Sequence, residues 1–180
     1  MTVAPFTHVA LLVANIDEAR AEFERTLGVP FTDPFTADVV DLRDSAGARA
    51  TSVRVALSTI GSPYYELLEA QDEGIFGRAN GLGFHHVGRW ESDCEAKRDE
   101  FVRAGHEVEA ASYTTEGKII VAWFKPHPPL GLRVEILDDA LRPEIETLTN
   151  AQPAGAGGRP PDRPPATAKE PSHAQHDDRG

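Results

Sequence analysis

The 180-residue chain sets 18 Lys and Arg against 29 Asp and Glu, a formal net charge of −11, and is 40% hydrophobic with one Cys. That length suits one domain, with or without a tail, and the acidic balance disfavours nucleic acid and, mildly, polyanionic ligands such as coenzyme A esters. Lone Cys94 excludes an internal disulfide or a multi-cysteine zinc site and fits a reducing compartment. No basic segment leads into an apolar run at the N-terminus. No apolar stretch nears the roughly 20 residues that span a bilayer, so a cytoplasmic protein without membrane partners is expected.

Residues 6–13 are β-prone and lie between Pro5 and Asn15. Asn15, with Glu18 three residues on, has the spacing of a helix-capping box. Ile16, Ala19 and Phe23 then recur at helical spacing until Gly28 and Pro30 end the run. Strands are predicted at 39–43, 51–58 and 64–68, with Asp44-Ser45-Ala46-Gly47 and Gly61-Ser62-Pro63 as turns. The order is β-α-β-β-β.

Beyond the hinge Gly81-Leu82-Gly83 the same order returns. Residues 84–90 form the strand, and Ser92 or Asp93 caps a helix that runs through Phe101 and stops at Gly105. Strands follow at 106–111, 118–124 and 132–137, then a short helix over 141–148 that tolerates Pro143 in its first turn. Residues 151–180 hold six prolines and few apolar side chains, too little to offset ordering entropy, so a disordered tail is expected there. Residues 1–150 thus form one domain, with modules at about 6–70 and 84–139. A chain ending at Asn150 should keep its melting temperature and metal content; substantial loss of either would mean that the tail docks on the domain.

The two units repeat in detail. Phe6-Thr7-His8-Val9 is answered 78 residues later by Phe84-His85-His86-Val87. Phe23 follows His8 by 15 residues, as Phe101 follows His86. Tyr64-Tyr65-Glu66-Leu67-Leu68-Glu69 corresponds to Arg133-Val134-Glu135-Ile136-Leu137-Asp138. A fixed-period repeat means duplicated units sharing a core. Strand alternation puts His8 on one face with Phe6, Ala10 and Leu12, and His86 with Phe84, Gly88 and Trp90, turning His85 to the opposite face. Glu66 and Glu135 sit between apolar neighbours, and a carboxylate on a buried face must be paired, hydrogen-bonded or metal-bound. Any one of these residues has an ordinary structural explanation. Their matched recurrence points instead to one divalent ion held by His8, Glu66, His86 and Glu135, with Zn, Ni, Co, Mn or Fe suited to that donor set.

This layout resembles the vicinal oxygen chelate superfamily, which includes glyoxalase I, methylmalonyl-CoA epimerase, extradiol dioxygenases and the bleomycin and fosfomycin resistance proteins. The resemblance runs from Phe6 to about Leu148. It implies an α+β fold in which two βαβββ modules form a cupped, partly open eight-stranded barrel, with ligands on the first and fourth strand of each module. Tyr65-Glu66-Leu67-Leu68-Glu69, followed 16 residues on by His85-His86-Val87, looks particularly like the epimerase branch.

Four protein ligands on a six-coordinate ion leave room for a small-molecule carbonyl substrate, whose α-proton a nearby carboxylate would remove. Glu135 and Glu66, supplied by opposite halves, are the expected bases, with loss of the Glu135 carboxylate the more damaging. Asp44 is a second base in the epimerase-like reading. Trp90, Tyr113, Trp123 and Phe124 are expected as apolar walls, and Lys118, Lys125 and Arg133 as anchors for an anionic group. A homodimer is compatible with this layout. A metal-dependent isomerase, epimerase or lyase uses all four ligands. An Fe(II) extradiol-type dioxygenase would need only His8, His86 and Glu135, and a metal-free drug-binding protein none of them.

Overall fold

The computed structural model describes residues 6–150; the expected tail lies outside them. The first module comprises β1 (His8–Val13), α1 (Ile16–Leu27), β2 (Phe35–Asp44), β3 (Gly47–Leu57) and β4 (Tyr64–Glu69). The second comprises β5 (Gly83–Glu91), α2 (Cys94–Arg103), β6 (Val108–Tyr113), β7 (Ile119–His127) and β8 (Leu132–Asp138), followed by α3 (Arg142–Thr149). The strands are ordered β1-β4-β3-β2-β6-β7-β8-β5 around a closed barrel. Its weakest seam joins β2 to β6 through two register pairs, Leu42–Ser112 and Arg43–Ala111. Among the described residues, no helix is long and apolar enough to cross a membrane.

Local chemistry sets the helix ends. Asn15 accepts hydrogen bonds from the Asp17 and Glu18 amides, and Gly28 takes the left-handed conformation (φ 66°) that closes α1. Asp93, rather than Ser92, caps α2 by accepting from the Ala96 amide. α1 lays Ile16, Ala19 and Phe23 over Ala56 and Leu67 on the outside of the barrel. α2 does the same for the second module, where Phe101 covers Phe124 and Ile136, both fully buried. Phe124 therefore belongs to this outer core and not to a site wall. Truncating such a side chain costs about 3–5 kcal/mol.

The barrel interior holds Ala10, Leu12, Val55, Tyr64, Leu68 and Trp123. One apolar pair comes from an unexpected place. Ile75 and Phe76, in the connection read only as a hinge, are buried in this core. α3 contributes Ile145 and Leu148, which pack against the same cluster.

Candidate metal centre

β1 and β5 run antiparallel down the middle of the site, with His8 opposite Gly88 and Ala10 opposite His86. On the flanking parallel strands, Glu66 pairs with Ala10 and Glu135 with Gly88. Each His thus lies beside a small residue of the other module, and each Glu faces that same small residue. Gly88 leaves no alternative: a Cβ there would lie 2.0 Å from His8 Cε1. The four side chains meet as a result. His8 Nε2 and His86 Nε2 are 3.0 Å apart. Glu135 Oε2 lies 3.0 Å from the first and 3.3 Å from the second, and Glu66 Oε2 lies 3.6 and 3.5 Å away. Neighbouring ligands on one ion with bonds of 2.0–2.1 Å lie about 3.0–3.4 Å apart; His8, Glu66 and His86 offer ligand atoms within 4.8 Å of one another, and Glu135 Oε2 lies against both imidazoles.

The strand alternation expected for β5 fails at one residue. Ala10 pairs with His86 but Leu11 pairs with Phe84, so His85 is an extra, bulged residue. The bulge breaks the two-residue period and turns His85 inward, beside His86, instead of to the opposite face. Its Nδ1 lies 2.8 Å from His86 Nδ1, while its Nε2 donates to the Ile75 carbonyl at 3.0 Å.

These contacts assign the tautomers. Because His85 donates from Nε2, its Nδ1 accepts from His86 Nδ1–H, and the His86 Nε2 lone pair faces the centre. Burial depresses His85 to about 3 and so keeps it neutral, helped in the metal-free protein by the proton on His86. The first module reaches the same result with different chemistry. Thr7 Oγ1 donates to the Gly88 carbonyl at 3.1 Å and lies 3.0 Å from His8 Nδ1, so it accepts from that nitrogen and leaves the Nε2 lone pair inward. Outer partners of this kind fix ligand orientation and basicity. His85→Phe should lower Zn affinity about 10–100-fold, measured by competition with a chromogenic chelator, and cost about 1–3 kcal/mol of stability for each of the Ile75 carbonyl and His86 Nδ1–H that it leaves buried without a partner.

Two inward lone pairs 3.0 Å apart repel unless a cation or proton lies between them. Glu135 Oε2 adds to this: it is buried, and its polar neighbours are the same two Nε2 atoms, at 3.0 and 3.3 Å. The residues present therefore fit a divalent ion. Without one, a proton takes its place. Desolvation disfavours a charged His86, but the carboxylates of Glu135 and Glu66 outweigh it and raise the group to about 9. Glu135 is buried as well, yet His86 and His8 hold it below the usual carboxylate range.

A folded-state value above the unfolded value of about 6.5 means stability that is complete below pH 6.5 and lost as pH rises through about 9. The metal-free protein should therefore melt at progressively lower temperature from pH 6.5 to 9. Zn-loaded protein, in which the ion replaces the proton, should not; equal slopes would remove the pairing from the account.

Burial separates the two glutamates. The Glu135 side chain is 5% exposed and that of Glu66 18%. Glu66 lines a pocket of about 190 Å³ between the barrel and α3. Trp123 pairs with Glu135 across β7 and β8, its ring 6.4 Å from that of His86, and its buried Nε1 has no partner. Tyr64 stacks on His8, with ring centroids 5.1 Å apart.

The other residues singled out from the sequence lie elsewhere. Asp44 holds its turn together, accepting from Arg49 at 2.7 and 3.0 Å and from the Ala46 and Ile75 amides. It steadies Ile75, and through that carbonyl His85, but does not reach the four. Arg133 is buried against Glu109 and the His85 carbonyl, so its charge is already engaged. Tyr113 lies under the Arg43 guanidinium, 4.1 Å from ring centroid to charge, and Lys118 is exposed at the β6–β7 turn. Lys125 pairs with Glu107. Trp90 lines a separate concavity with Phe6 and Arg142. A further concavity, about 540 Å³ over the β2–β6 seam, contains none of the four centre residues.

Fold and donor set together define a two-module barrel protein built around a candidate metal centre. Residues 7–123 match the Glyoxalase/Bleomycin resistance protein/Dioxygenase superfamily, and the chain belongs to it. Among solved structures, it is similar to a variant of Streptomyces coelicolor methylmalonyl-CoA epimerase in complex with 2-nitronate-propionyl-CoA. That likeness has a TM-score of 0.55 at 19% identity, over 76% of this chain and 95% of the other. Methylmalonyl-CoA epimerase from Mycobacterium tuberculosis matches with a TM-score of 0.53 at 17% identity, over 77% and 91% of the two chains. A hypothetical protein from Bacillus halodurans C-125 matches at 0.53 and 20%, over 76% and 95%. At such identities the likeness establishes the fold. No curated protein matches the chain by sequence.

Proposed function

We propose that the protein is a divalent-metal-dependent isomerase, epimerase or lyase that moves a proton at the carbon next to a carbonyl. The observation that carries this reading is the convergence of the His8 and His86 Nε2 atoms, 3.0 Å apart, on the buried Glu135 Oε2 at 3.0 and 3.3 Å. An ion held by His8, Glu66, His86 and Glu135 would polarise the carbonyl oxygen and stabilise the negative charge that develops on it. The chain's own residues supply the rest. His85 and Thr7 hold the two imidazoles in register, and Trp123 and Tyr64 keep water from the centre.

We assign proton abstraction to Glu66. It alone of the four lines the pocket, and a base must come within hydrogen-bond reach of the carbon acid. Glu66 would take the α-proton as the C–H electron pair moves towards the carbonyl, and then return it to carbon, so no electrons leave the substrate. Glu135, enclosed by both imidazoles, is better suited to permanent ligation. This reverses the weighting of the two glutamates expected from sequence.

The deciding experiment is metal analysis of untagged protein, followed by solvent-deuterium exchange into 2-substituted ketones and thioesters. Metal-dependent exchange without oxygen uptake is expected. Oxygen consumption with a catechol and Fe(II), unaffected by Glu66→Ala, would overturn this reading in favour of a dioxygenase. Full small-molecule binding after all four positions are changed to Ala would instead indicate a metal-free binding protein.

A further inference from the structure

The pocket beside Glu66 differs sharply from the rest of this acidic, ion-paired surface. Phe35, Val55 and Leu57 form its barrel wall, and Leu141, just before α3, with Ile145 and Leu148 within it, the opposite one. Its only charged lining groups among the described residues are carboxylates: Glu66 at the centre and Glu144, exposed at the rim. No described Lys or Arg lines it; Arg142, on the same helix, pairs with Glu146. Its volume of about 190 Å³ is well under the roughly 300–1,000 Å³ of pockets that enclose a drug-sized ligand.

From this we infer that the substrate carries a compact, uncharged alkyl or aryl group next to its chelating oxygens, and that this group lies between the barrel and α3. An anionic group there would lose its hydration, meet two carboxylates and gain no cation. The inference rests on the proposed metal centre, because the pocket is a subsite only if the ion beside Glu66 holds the reacting carbonyl.

Monohydroxamates test it, since they present oxygens on adjacent atoms and vary only in the attached group. With the full-length Zn-loaded protein, calorimetry should give affinity rising about fourfold per methylene from acetohydroxamate to butyrohydroxamate, the gain from burying one CH2. The gain should level off by hexanohydroxamate as the pocket fills. The monohydroxamate of succinic acid should bind at least about tenfold more weakly than pentanohydroxamate, its nearest uncharged analogue. Ile145→Arg should reverse that preference, and Leu148→Ala, a milder change, should move the levelling point to longer chains. Metal-dependent binding that ignores chain length, or that favours the carboxylate, would overturn the subsite and leave the metal centre standing. Absence of metal-dependent acetohydroxamate binding would overturn the metal centre, and the subsite with it.

Discussion

His86→Ala should abolish stoichiometric metal binding and, in the metal-free protein, lower stability by about 3–5 kcal/mol, the usual cost of leaving one partner of a buried ion pair alone. The size of the second effect follows from Glu135. Its Oε2 is buried between the two imidazoles, and His86 is the strongest influence holding the carboxylate ionised against desolvation. Without the imidazole, the carboxylate must either protonate or stay charged with His8 alone beside it. For a domain of this size the loss corresponds to a fall in melting temperature of about 10 °C. The double variant His86→Ala, Glu135→Gln separates the causes: stability should largely recover while metal binding stays lost. If the single variant melts like the parent, the two groups are not coupled in the folded protein. If it still binds Zn with parental affinity, His86 is not a ligand.

The duplication was legible because it lies in the order of residues: two His and two Glu at matched places, with the aromatic Phe23 and Phe101 in step. Capping was legible for the same reason, since Asn15 and Asp93 act within one turn of their own position. His85 was not. Alternation is a property of one strand, whereas the bulge belongs to the pairing of β5 with β1 and appears only when Leu11 is found opposite Phe84. The same holds for Ile75 and Phe76, whose apolar pair in the linker is the signal that marks it as more than a hinge. Asp44 is occupied for a local reason: the turn that made it prominent also supplies the Arg49 and amide donors that engage its carboxylate.

The glutamates show the limit most clearly. Sequence gives them equivalent places, flanked alike and contributed by equivalent strands, so nothing along the chain separates ligand from base. The separation comes from α3, which has no counterpart in the first module. By packing Ile145 and Leu148 against the first-module side of the barrel, it leaves a pocket that touches Glu66 and not Glu135. The symmetry of the repeat is therefore broken beside Glu66, where the proposed function places the substrate.

Glu66→Gln should consequently lower metal-dependent solvent exchange by about 10²–10⁴-fold, the range a positioned general base contributes, while metal content falls little. The amide oxygen can still coordinate, but it cannot take a proton. Glu135→Gln should fail differently. Its carboxylate balances charge between two imidazoles at 3.0 and 3.3 Å, so losing that charge should weaken metal binding first and lower exchange only through the metal lost. Saturating Zn should then restore much of the exchange in Glu135→Gln and none in Glu66→Gln. Metal content measured on the same samples decides the matter. Rescue of Glu66→Gln by added metal would return that residue to a purely coordinating role. An unrescuable Glu135→Gln with full metal content would move the base to the buried side of the centre, and the pocket beneath α3 would then no longer be the place where the carbon acid sits.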